Sequence, residues 1–142
     1  MNHVIGRIVR PLAALAFAAL LFAPFGAHAQ TAPADMVGTW TAPPGGTIAG
    51  AVIAQVGSTY TIHVTAPCSP PCDWGTRPLT IYAPSVSIKV GKIGSAVFNQ
   101  GFVTRTVIVT LQDATAPFLS VQVLSKFNGG GRSNYATTQT LH

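Results

Sequence analysis

The chain has 142 residues, and Lys, Arg, Asp and Glu together fill only 8% of them, against about 25% in a typical soluble domain. It has no Glu, and its acids are Asp35, Asp73 and Asp113 alone. That excludes a paired-Glu hydrolase, a carboxylate-rich metal cage and an EF-hand, each of which needs several carboxylates in one place.

Residues 1–10 carry Arg7 and Arg10 and no acid, and Pro11 to Phe25 is an almost unbroken apolar run. Ala27-His28-Ala29 then places small residues at the −3 and −1 positions of a cut before Gln30. A charged start, a short apolar stretch and an A-x-A site form the secretory pattern. The apolar run contains Pro24, is followed by Gly26 and is shorter than the roughly 20 residues needed to span a bilayer. The expectation is a signal peptide over 1–29, with no transmembrane segment after cleavage and a location in the periplasm or outside the cell. The remaining 113 residues suffice for one domain and not two. Cleavage also removes both early arginines, leaving Arg77, Lys89, Lys92, Arg105, Lys126 and Arg132 against three acids, a net charge of +3. These bases form no run, so there is no electrostatic footprint for nucleic acid.

Gln30 to Asp35 is polar and contains Pro33, and 30–36 is expected to be a flexible leader to a domain spanning 37–142. From there the pattern is all β. Tyr60, Ile62, Val64 and Ala66 alternate on one face, as do Val103, Val107, Val109 and Leu111, and again Leu119, Val121, Val123 and Phe127. Sixteen threonines after residue 29 favour pleated, half-buried surface over helix. The expected strands are 38–42, 48–56, 59–66, 75–83, 86–90, 95–103 running into 104–112, 118–127 and 134–141. Turn signals such as Pro43-Pro44-Gly45-Gly46, Gly57-Ser58 and Gly129-Gly130-Gly131 separate them. Short connections favour neighbours pairing in order. About eight such strands hide their edges best by closing into a small antiparallel up-and-down barrel; a β-sandwich is the alternative.

Cys68 and Cys72 are the only cysteines. In an exported chain they are expected to form a disulfide. The spacing C-x-x-x-C is not that of a thiol oxidoreductase, and only His63 and His142 would remain to complete a zinc site. No metal and no cofactor is implied.

Gly38-Thr39-Trp40 opens the first strand and resembles the G-x-W start of the lipocalin and avidin-like (calycin) barrels. That resemblance implies a barrel floor made by Trp40, with Arg132, just before the last strand, packed over it. Gly38-Thr39-Trp40, Cys72-Asp73-Trp74-Gly75 and Gly131-Arg132-Ser133-Asn134-Tyr135 together resemble a group of uncharacterised bacterial exported proteins across nearly the whole domain. This second likeness implies architecture and no chemistry, and the CSPPC loop here is one residue shorter than the C-x4-C associated with the group.

Period-two counting puts Arg105 between Val103 and Val107, on the interior face. A guanidinium there needs a carboxylate, carbonyls or a ligand anion: either Arg105 pairs near the rim, for instance with Asp73, or it holds a polar group of a ligand. Trp74, fixed by the neighbouring disulfide, and Tyr135 are the other ligand candidates. His63 lies opposite Ile62 and Val64 and is expected in solvent. There is no G-x-S-x-G elbow and no H-E-x-x-H helix; a Ser133–His63–Asp73 triad exists only on paper, so the protein is expected not to be an enzyme. Two functions follow. One is binding of an apolar or amphipathic small molecule in the barrel. The alternative is a protein-interaction module, such as a secreted inhibitor or envelope accessory protein, using the leader against another exported protein.

Overall fold

The computed structural model describes residues 30–142; the expected export signal, 1–29, lies outside the described residues. Eight antiparallel strands form one sheet whose spatial order is their order in sequence. They are β1 (Gly38–Thr41), β2 (Gly50–Val56), β3 (Thr59–Ala66), β4 (Cys72–Tyr82), β5 (Ile93–Asn99), β6 (Val103–Gln112), β7 (Phe118–Phe127) and β8 (Tyr135–Leu141). The sheet curls into a nearly closed barrel, so the meander expected from the short connections is the architecture, and the sandwich is not. Among the described residues no helix is long and apolar enough to cross a membrane.

The apolar stripes line the interior. Tyr60, Ile62, Val64, Val107, Val109, Val121 and Val123 are all buried, together with Ile53, Phe98, Leu119 and Leu141. These side chains occupy the middle of the barrel, in keeping with the width of an eight-stranded cylinder, whose interior side chains can fill.

Beyond shifts of one or two residues at strand ends, three differences from expectation matter. Residues 86–90 do not form a strand; they belong to the β4–β5 loop, where Val86 is fully exposed. The run 95–112 is two strands, broken at Gln100-Gly101-Phe102: Gly101 adopts φ +79°, and the Asn99 side-chain oxygen accepts its N–H at 3.0 Å. β4 begins at Cys72, three residues early, because it carries a bulge. Val64 pairs with Gly75 but Thr65 pairs with Asp73, which leaves Trp74 as an extra residue. Gly75 permits this with φ +82°, a conformation that costs other residues dearly.

The barrel's seam lies between β1 and β8. Only Thr41 and His142 pair there as a ladder would, exchanging both backbone hydrogen bonds at 2.7 and 2.9 Å. Past this pair, the side chain of Gln139 replaces the ladder. Its Oε1 accepts the N–H groups of Thr47 (2.7 Å) and Ile48 (3.0 Å), and its Nε2 donates to the Ile48 carbonyl (2.9 Å). Gly46 leaves room for it, since a Cβ there would sit 2.7 Å from the Gln139 oxygen.

The leader corrects its expected flexibility. Thr31 exchanges backbone hydrogen bonds with Lys89 and Gly91, Ala32 N donates to the Tyr60 hydroxyl at 3.1 Å, and Ala83 N donates to the Gln30 side chain at 3.0 Å. A 3-10 turn, Ala34–Met36, then drops the fully buried Met36 into the core. The leader's polar groups thus find partners across the lower end of the barrel, which it closes; the opposite end carries the β3–β4, β5–β6 and β7–β8 loops.

Candidate functional site

Trp40 sits beside the lower end, buried, with its indole N–H donating to the Met36 carbonyl at 3.1 Å. Arg132 does not pack over it. That expectation is corrected: Arg132 lies in the β7–β8 loop at the other end, its guanidinium 5.4 Å from the Phe127 ring centre. The physical reason is that the 3-10 turn already covers Trp40 and supplies its hydrogen-bond partner.

The bulge decides what β4 offers to the upper end. Leu79 and Ile81 point inward, so strict alternation would turn Asp73 in and Trp74 out. The extra residue reverses this. Trp74 is buried, with its ring edge against Phe98 (centroids 5.9 Å apart, planes at 64°), and Asp73 is exposed. Asp73 fastens the bulge, accepting the Gly75 N–H at 2.6 Å. Above Thr80, moreover, β4 no longer pairs with β5. Pro78, with no N–H to contribute to a ladder, stands just beyond the last pair.

Arg105 is the side chain that meets Trp74. Its guanidinium carbon lies 4.5 Å from the Trp74 ring centre, a cation–π contact. The two line a recess of about 660 Å³ with Thr47, Ala66, the Cys68–Cys72 disulfide, Asp73, Gln100 and Phe102. A second recess, about 620 Å³, adjoins Phe102 on its other side and is lined by Phe127, Arg132 and the Gly129-Gly130 turn. Of the expected ligand residues, Arg105 and Trp74 are therefore brought together. Tyr135 is not in their recess; it is 44% exposed, with its ring 6.0 Å from Phe127. The upper end thus holds two arginine–aromatic stacks, with exposed Phe102 between them.

The disulfide spans the β3–β4 loop, with Cα atoms 5.2 Å apart, and ends where β4 and the bulge begin. Closing so short a loop should add about 2 kcal/mol, noticeable beside a total of about 5–15 kcal/mol. Replacing both cysteines by serine is expected to lower the melting temperature by about 10 °C and to leave the β-type circular dichroism unchanged. A double variant unfolded at room temperature would contradict this.

One contact was not legible in the sequence. On the outer face His63 Nε2 lies 3.2 Å from Asp73 Oδ1, and His63 Nδ1 lies 3.1 Å from the Thr76 hydroxyl. The bulge is again the cause, since it turns Asp73 outward to the side where His63 stands. The signal available beforehand was Gly75 after an Asp-Trp pair, a bulge glycine. Among the described residues no third His, Cys, Asp or Glu joins them to make a metal-binding group, and the cysteines are occupied by each other. The chain matches no protein-family model, no curated protein and no solved structure.

Proposed function

We propose that the protein is an exported, non-catalytic binder of an amphipathic small molecule, taken at the upper end of the barrel instead of its packed centre. The observation that carries this reading is the Trp74–Arg105 stack inside a recess of about 660 Å³. It combines a flat apolar surface with fixed hydrogen-bond donors, the usual make-up of a small-molecule site. Export is supported by the charged, apolar and A-x-A segments of residues 1–29 and by the disulfide. The G-x-W opening and the meander barrel support a kinship with calycin barrels, from which Arg132 departs. The non-catalytic reading is supported by the exposure of the Asp73–His63–Thr76 set, whose His63 and Asp73 side chains are 37% and 62% exposed. Water there weakens the electrostatic stabilisation that catalysis needs. The leader is bound to the barrel by its own hydrogen bonds, which leaves the alternative of a free interaction arm without support.

The test is tryptophan emission during titration with decanol and decanoate, each below its micelle concentration. A saturable change is expected, and Trp74→Phe should remove it while Trp40 still reports the fold. No saturable change with either amphiphile would overturn the reading, as would a response that survives in Trp74→Phe.

A further inference from the structure

Arg105, Ser125 and Tyr135 lie in one row across β6, β7 and β8: Arg105 pairs with Ser125, and Ser125 with Tyr135. Side chains of directly opposed residues share a face and stand about 5 Å apart at Cβ. Ser125 is 2% exposed, the one buried polar residue of the described core. Its hydroxyl and the Nε of Arg105 are both buried without a hydrogen-bond partner. Two neighbouring orphans of this kind are costly, each losing water without replacement.

None of the Asp side chains is paired with Arg105. The chain has three acids. Asp73 is turned outward to His63 and the Gly75 N–H, Asp113 is paired with Lys92, and Asp35 lies in the 3-10 turn at the lower end. Stacking on Trp74 occupies the face of the guanidinium, and hydrogen bonding is left to its in-plane N–H groups, of which Nε has no partner in the chain.

We propose that the ligand's head group is a carboxylate, received by the in-plane N–H groups of Arg105, while its apolar body lies against Trp74 and Phe102. The inference rests on the binding reading above and specifies its ligand class. Planar carboxylate matches the guanidinium fork. Asp73 lines the same space and is itself negative, so a monoanion meets less repulsion there than a dianion.

The experiment compares decanoate, decanol and decyl phosphate on the purified protein, read by tryptophan emission at about pH 8, where a phosphomonoester is a dianion. Decanoate is expected to bind about tenfold to a hundredfold more tightly than decanol, the range for hydrogen bonds to a charged group, and more tightly than decyl phosphate. Arg105→Met should erase the preference for decanoate over decanol. Equal affinities for decanoate and decanol in the unaltered protein would overturn the head-group assignment while the binding reading stood. Failure of both to bind would remove both. Decyl phosphate binding as well as decanoate would overturn the choice of a monoanion. The comparison in the unaltered protein holds even if Arg105→Met does not fold.

Discussion

Replacing Phe98 by alanine is expected to destabilise the barrel by about 3–5 kcal/mol, the range for deleting a buried aromatic side chain. Phe98 is fully buried, pairs directly with Arg105 across β5 and β6, and supports the edge of Trp74. It stands where β4 and β5 have stopped pairing, so the space it leaves has no backbone ladder to draw it closed. Urea unfolding should show a lower midpoint with an unchanged slope. The Trp74 emission of the folded variant should shift to the red as water reaches the ring. A loss below about 1 kcal/mol would mean that the site collapses freely and that Phe98 is not a support for the stack.

The second large effect is expected at the seam. Gln139→Ala would leave the N–H groups of Thr47 and Ile48 and the carbonyl of Ile48 without their partner. Each such loss costs roughly 1–3 kcal/mol when water cannot substitute. The seam is half-buried, so the total is expected near 3 kcal/mol. Hydrogen exchange should accelerate at the Thr47 and Ile48 amides before it does in β6 and β7, because an opened seam frays locally. Gln139→Glu keeps the acceptor and loses the donor, and should cost less than alanine. Unchanged exchange at Thr47 and Ile48 in Gln139→Ala would show that this amide does not close the barrel.

Both effects concern places that period-two counting does not reach. Read as one strand from 95 to 112, the chain puts Phe98 and Arg105 on opposite faces, since their numbers differ in parity. The turn at 100–102 brings them to the same side as direct partners. The same is true of Trp74, which alternation alone would have turned to solvent and which the bulge turns inward. Arg105, in contrast, was legible: no irregularity separates it from Val103 and Val107 within β6, and it lies on their face, stacked on Trp74 at the barrel rim.

By itself, the sequence determined the class of the fold, its meander order and most of its core. Those depend on local facts: alternating apolar residues select a face, and short Gly- and Pro-containing connections make neighbours pair. The tertiary structure alone decided the closure through Gln139, the docking of residues 30–36 under the barrel, the meeting of His63 with Asp73 and the stack of Arg105 on Trp74. Each joins segments far apart in the chain or follows a one-residue change of register. A single extra residue reverses every later side chain, and a seam between the first and last strands depends on how the whole sheet curls. Neither leaves a periodic trace in the amino-acid order.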